Sequence, residues 1–271
     1  MTSATPKPRT LELTAEPVTV SSRRQTPLRS TCAHPHQCAK PMRMRILAQI
    51  PFFAGLSEDE LESIDQRMVA LSWAEGDRLY TAGEPSDYLY VIAAGHVKAI
   101  HTAGNGQETI VDIRGPGDLF GGFRIVGEPT YTETVQALVT TCALRMDSQA
   151  FRGLLLEHPE LALRALDDVT ALLGDARSTA NKQATSTVAQ RVAATLLQLA
   201  DKFGQHGGSG DGTLIQLPLS RADLAAMTGS TPESVSRTMS RLRKDRIVDT
   251  GRRWTSILDR DKLAAIVATA R

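Results

Sequence analysis

Three polar side chains near the C-terminus have the types and spacing to read a base-pair edge. Glu233, Ser236 and Arg237 stand at i, i+3 and i+4, so on a helix they share one face. A carboxylate accepts from a cytosine amino group, a guanidinium bonds a guanine bidentately, and a hydroxyl meets a thymine edge or a phosphate. Ser240, Arg241 and Lys244 prolong that face, with Arg221 and Thr231 just upstream. From Arg221 to Arg253 the chain holds eight basic and four acidic residues, a local charge of +4, against +1 for all 271 residues. Positive charge is thus concentrated where phosphates would be met. The pattern also fits an amphipathic helix with ordinary solvated charges.

A second group of reactive residues lies near the other end, in Cys32-Ala-His-Pro-His-Gln-Cys38. Two thiols and the imidazoles of His34 and His36 fall within seven residues. Thiolates suit zinc, copper(I) or iron–sulfur iron, and imidazole suits zinc or iron. Pro35 favours a turn that lets both sulfurs converge. The alternative is a pair of ordinary thiols. A third cysteine, Cys142, taken by itself, fits a buried core thiol.

These side chains need elements to position them. Around the C-terminal group, Ser220 and Asp223 form a capping-box-like start, and Leu224, Ala225 and Met227 can face inward. Thr228-Gly229-Ser230 breaks that helix, and Gly229 tolerates a left-handed turn. Thr231 caps the next helix with Pro232 at its first position. Val235, Met239 and Leu242 then recur at four- and three-residue spacing as a buried stripe. The pattern predicts a helix-turn-helix whose second helix lies in a DNA major groove. Residues 213–217 read as a strand before it, 247–258 as the hairpin of a wing, and 261–270 as a closing helix.

Upstream, residues 69–147 alternate short β-rich runs (78–80, 88–93, 96–102, 108–114, 134–138, 142–146) with glycine turns, which predicts a β-roll or barrel. Two short helices are expected over 43–70, the second capped by Ser57 with Glu60. After Ser148 the chain reads as helical to about Phe203. Leu166, Val169, Leu173, Ala176 and Ala180 recur at three- and four-residue intervals as a coiled-coil seam, continued weakly by Gln183 and Thr187. That seam predicts a marginal homodimer. Residues 205–212 read as a loop.

Composition bounds the class. Hydrophobic content is 41%, ordinary for a soluble globular protein, and 271 residues suffice for two domains. No run approaches the roughly 20 apolar residues of a membrane span, and the N-terminal stretch has no signal-peptide core. Three cysteines, an odd number, argue against a disulfide framework. The chain reads as cytoplasmic, with no membrane association. The sequence holds no Ser–His–Asp elbow, P-loop, dinucleotide fingerprint or HExxH motif, so an enzyme is not expected. The expected organisation is α+β: a disordered tail (1–31), a cysteine segment (32–45), a β-roll of the cupin-like jelly-roll kind (46–158), a dimerisation helix leading into the next domain (159–204), and a winged helix-turn-helix (205–271).

In this order the elements resemble the Crp/Fnr family of bacterial transcription regulators. The resemblance runs from about Pro51 to the C-terminus. It is carried by Phe53-Ala-Gly-Leu, Gly76-Asp, Gly83-Glu, Leu89-Tyr-Val-Ile-Ala-Ala-Gly-His-Val-Lys, Gly117-Asp-Leu-Phe-Gly, and the E-x-x-S-R motif at Glu233, Ser236 and Arg237. It implies a dimer on double-stranded DNA, with RNA polymerase as a further partner. In the Fnr-like branch that motif implies inverted repeats with TTGA-type half-sites. Where the cyclic-nucleotide branch holds its ligand, this chain departs. Gly121-Gly122 and Tyr131-Thr132 stand in for the ribose-binding acid and the phosphate-binding Arg, and Arg124 could substitute only with a different pose.

The Fnr-like resemblance also implies an oxygen-labile 4Fe-4S cluster held by cysteines ahead of the β-roll and one within it. Cys32 and Cys38 match the last two of the N-terminal set, and Cys142 lies on the strand of the distant one, about two residues early. A fourth cysteine is missing, Arg29 standing in its place; His34, His36 or an acidic side chain would have to complete the set. The signal expected is redox state, oxygen or nitric oxide. A haem, thiol, zinc or small-molecule effector, or no cofactor, stands as the alternative. In a reading of another class, the β-roll binds a ligand and the C-terminal helices are merely packed.

Overall fold

The structure is a computed structural model that describes residues 39–122, 129–167, 169–170, 174, 186–206 and 212–268. Helix α1 (Lys40–Gln49) leads through a 3-10 turn (Pro51–Phe53) into α2 (Glu58–Gln66). Ser57 and Glu60 form the expected capping box at the start of α2. Eight strands follow: β1 (Met68–Trp73), β2 (Arg78–Tyr80), β3 (Tyr88–Ala94), β4 (Val97–Thr102), β5 (Glu108–Arg114), β6 (Leu119–Gly121), β7 (Thr134–Ala137) and β8 (Thr141–Asp147). They pair antiparallel into two four-stranded sheets, β1-β8-β3-β6 and β2-β7-β4-β5. Strands β1 and β6, which have weak alternation in the sequence, complete the first sheet.

The period of two along β3 and β8 sorts side chains between two cores. Tyr90, Ile92 and Ala143 join Tyr80, Val97, Phe120 and Val135 between the sheets. Leu89, Val91, Ala93, Cys142, Leu144 and Met146 turn the other way, against α1, α2 and α3 (Ser148–Glu157). Both faces of the sheet are covered, which explains why β3 reads as a continuous apolar run.

The single helix expected from Ser148 to Phe203 is corrected in two places. His158 leaves helical geometry at φ −129°, ψ 81°, because Pro159 disfavours the α conformation in the residue before it. Residues 159–167 are helical again (α4). A separate helix, α5 (Val188–Phe203), then starts behind Thr187, whose side chain caps Gln190 in a second capping box. Thr187 is therefore a helix start and not a position in the seam. The loop expected over 205–212 is corrected too: β9 (Gly204–His206) extends into it and pairs with β10 (Thr213–Ile215). A Cβ on Gly204 would lie 2.2 Å from Ala200 O, so only glycine turns the chain so tightly off α5.

The C-terminal unit holds α6 (Arg221–Thr228), α7 (Pro232–Lys244), the hairpin β11 (Val248–Gly251) and β12 (Trp254–Ile257), and α8 (Arg260–Ala268). Its sheet runs β11-β12-β10-β9. Its core is continuous with the outer face of the β-roll, where Ile100, Ile110, Ile113 and Leu138 meet the buried residues of α5, α6 and α7. Charged pairs frame that joint: Lys98 to Asp223 at 2.7 Å, Lys202 to Asp118 at 3.0 Å, and Arg253 to Glu75 at 2.8 Å.

Candidate nucleic-acid interface

Local chemistry sets the two helices of the reading unit. The Ser220 hydroxyl accepts from Asp223 N and the Asp223 carboxylate accepts from Ser220 N, closing the capping box of α6. Gly229 ends α6 at φ 54°, ψ 47°, the left-handed conformation expected of it. Thr231 then caps α7 by accepting from Ser234 N at 3.3 Å, with Pro232 in the first turn. Val235, Met239 and Leu242 are buried at 0%, 1% and 3% exposure, so the stripe that anchors α7 is fully sealed.

With that face fixed, the opposite face is open. Glu233, Arg237, Ser240, Arg241 and Lys244 are exposed and Ser236 is half-buried. Arg237 donates to Ser234 Oγ at 3.3 Å, which aligns the guanidinium along the helix. Its own backbone amide and the Thr231 hydroxyl, with Arg237 adding a smaller effect, hold the Glu233 carboxyl below its ordinary range. An ionised acceptor and a fixed cation therefore stand side by side at the end of α7 that approaches base edges. Arg241 and Lys244 continue the exposed basic face toward the C-terminal end of α7. Arg221 sits apart, half-buried against the wing, with Thr250 Oγ1 at 3.5 Å.

Two supporting residues have no local signal in the sequence. Arg191 on α5 donates to Thr228 O and Ser186 O, both at 2.7 Å, and to Gly229 O at 3.4 Å. It thereby clamps the turn between α6 and α7. Lys98 on β4 donates to Asp223. Burial works to raise the Asp223 carboxyl, and the hydrogen bonds from Lys98 and Ser220 more than offset it, so the group stays below its ordinary value.

Aromatic side chains meet inside the β-roll, among them Tyr80, Tyr90, Phe120 and Tyr131. Tyr131 is 5% exposed and stacks on Tyr80 with ring centroids 3.8 Å apart. Its hydroxyl donates to Tyr88 O at 3.0 Å and accepts from Tyr88 N at 3.2 Å. Burial pushes the Tyr131 phenol up, so it stays protonated. A Cβ on Gly122 would lie 2.2 Å from Ser86 O, so no acidic side chain fits there without movement. Arg114, nearly buried, is engaged by Glu133 at 2.6 Å. Arg124 lies outside the described residues.

Of the other expected site residues, Cys142 is 1% exposed within the helix-side core. Cys32, His34, His36 and Cys38 lie outside the described residues. Among the described residues, no three His, Cys, Asp or Glu side chains are grouped to hold a metal ion. Leu166 and Val169 are 62% and 43% exposed; Leu173, Ala176 and Ala180 lie outside the described residues. No helix among the described residues is long and apolar enough to cross a membrane.

Comparison with known proteins agrees with this geometry. A Crp-like helix-turn-helix domain model matches residues 190–266 and a cyclic nucleotide-binding domain model matches residues 70–158. The chain is 28% identical over 196 residues to a CRP-like cAMP-activated global transcriptional regulator of Mycobacterium tuberculosis, covering 72% of this chain and 86% of that one. It is 26% identical over 223 residues to the fumarate and nitrate reduction regulatory protein of Salmonella typhi, covering 82% and 87%. The solved structure of FixK2 from Bradyrhizobium japonicum shares the fold, with a TM-score of 0.67 at 23% identity over 75% of this chain and 99% of that one. These relatives are regulators and not enzymes. With its matched domains in this order and the polar face of α7 exposed, the chain belongs to the Crp/Fnr family of DNA-binding transcription regulators.

Proposed function

We propose that this regulator works as a homodimer on an inverted-repeat operator with TTGA-type half-sites, one α7 entering the major groove of each. One observation carries the reading: Glu233, Ser236 and Arg237 share the open face of a helix whose other face is sealed. A dimer would set two such helices about one helical turn, roughly 34 Å, apart. The exposure of Leu166 and Val169, joined by Leu163 at 66%, supports pairing through the segment after α3. Cytoplasmic operation and contact of β-roll loops with RNA polymerase belong to the same reading. The test is binding to a duplex with a TTGA inverted repeat against a scrambled duplex at about 0.15 M salt, where non-specific binding weakens. At least a hundredfold preference for the repeat is expected, and equal binding to both would remove the half-site assignment.

We further propose that this β-roll is not a cyclic-nucleotide receptor. Tyr131 fills the place of the phosphate-binding Arg, and Gly122 leaves no room for a ribose-binding acid. Losing a bidentate phosphate contact removes the main source of affinity. Calorimetry with cyclic AMP should give no saturable heat.

For the signal, we propose redox control through Cys32 and Cys38. The support is positional: α1 starts two residues after Cys38, and its Ile46 and Leu47 share a core with Cys142. Cys142 itself is 1% exposed in the helix-side core, so iron would reach it only if that core opened. A cluster would depend on Cys32, Cys38 and the two histidines. Iron and sulfide analysis after anaerobic purification tests this. Iron-free protein that binds operator equally in air and under nitrogen would exclude the cluster.

A further inference from the structure

Between the wing and the start of α6 lies a cavity of about 360 Å³, lined among others by Ser220, Arg221, Thr250, Arg252, Arg253 and Trp254. Three of these are guanidinium groups, and no lining residue is acidic. Arg221 is half-buried there, and burial alone lowers its pKa, with no carboxylate acting against it. In the cavity its guanidinium approaches Thr250 Oγ1 at 3.5 Å, at the edge of a hydrogen bond. Arg253 sits in the wing turn at φ 74°, a conformation rare for a side-chain-bearing residue. Its Nε is shut away from solvent and has no hydrogen-bond partner. Its Nη2 reaches out of the unit to Glu75 Oε2 at 2.8 Å, in the turn between β1 and β2.

The cavity gathers three guanidinium groups and several hydroxyls with no internal anion, which leaves a demand for one. Guanidinium groups bind phosphate through parallel hydrogen bonds, and hydroxyls complete its oxygen shell. Glu75 meets this demand only from outside, through one atom of one arginine, and its own side chain is 56% exposed.

We propose that this cavity binds a phosphate group, and that Glu75 of the β-roll competes with that phosphate for Arg253. The phosphate comes either from the operator backbone or from a small phosphate-bearing molecule. Only the first source rests on the DNA-binding reading. If it is the backbone, the β-roll tunes operator affinity through a single ion pair at the wing, without touching the base-reading helix.

The experiment uses the full chain as wild type, Arg221→Gln, Arg253→Gln and Glu75→Gln, with melting curves to confirm folding. Binding to several duplexes of unrelated sequence is measured across a salt series, and inorganic phosphate is titrated calorimetrically. With a backbone phosphate, the two arginine variants weaken binding to every duplex by a similar several-fold factor. The slope of log K against log salt falls by about one per subunit, and base preference is unchanged. Glu75→Gln tightens binding to every duplex. With a small phosphate ligand, salt slopes stay as in wild type. Inorganic phosphate then binds wild type saturably, binds Arg221→Gln more weakly, and binds Glu75→Gln more tightly. Unchanged slopes together with no phosphate heat would overturn the site. Unchanged or weaker binding of both probes by Glu75→Gln would overturn the competition. If wild type binds no duplex at all, the DNA-binding reading fails, and the phosphate titration still decides the cavity.

Discussion

At the scale of single residues, the account turns on which side chains are held and which are free. Arg237 is exposed and aligned by Ser234, so on the proposed reading its truncation removes a base contact while the fold stays intact. Arg237→Ala should cost about 1–3 kcal/mol on the preferred operator and relax preference at one position of each half-site, measured by titration against single-substitution duplexes. Thr231 acts through the backbone. Its hydroxyl satisfies Ser234 N, so Thr231→Ala should lower stability by about 1 kcal/mol in denaturant unfolding. These residues were legible in the sequence because caps, left-handed turns and i, i+4 faces are local chemistry. Arg191 and Lys98 were not legible: each reaches its partner across 37 and 125 residues respectively, and nothing beside them in the chain marks the pairing. The direction of Cys142 follows from strand alternation, but its closure under α1 depends on how the helices fold back.

Among the elements, helix α7 shows how burial on one face makes chemistry available on the other. Met239 is 1% exposed among Val235, Leu242 and the α5 core. Met239→Ala should cost about 2–4 kcal/mol through lost contacts and a residual cavity, visible as a lower melting temperature. The strands of the β-roll and the winged unit follow closely from glycine turns and apolar runs. The long helix did not, and the reason lies in two short signals that periodicity overrides. Pro159 constrains His158, and Thr187 with Gln190 makes a capping box; a three- and four-residue apolar rhythm runs through both. Strand β9 was hidden because Gly204-Gln205-His206 carries no β-type side chains and is recruited by pairing with β10.

Across the molecule, the β-roll and the C-terminal unit share a continuous core framed by ion pairs. His96 lies edge-on to Phe203 at 5.3 Å, and burial brings its pKa down to about 4, with Asp118 raising it and Lys202 lowering it. The folded-state value lies below the ordinary 6.5, so the unfolded chain binds this proton more readily. Stability from neutral His96 is therefore present above about pH 6.5 and lost as pH falls toward 4, by up to about 3 kcal/mol. Melting of wild type and His96→Gln between pH 7 and 4.5 should show a steeper loss in wild type. The exposed Leu166 gives the test of assembly: Leu166→Asp should shift the chain toward monomer in sedimentation and weaken binding to inverted repeats far more than to single half-sites.

Whether α7 reads bases through Glu233, Ser236 and Arg237 is decided by selection from a pool of random duplexes. Wild-type protein should enrich an inverted repeat of two short half-sites about one turn apart, and Arg237→Ala should lose preference at one symmetric pair of positions while keeping the rest. A pool that stays random with wild type, or an unchanged motif with Arg237→Ala, would contradict base reading by α7.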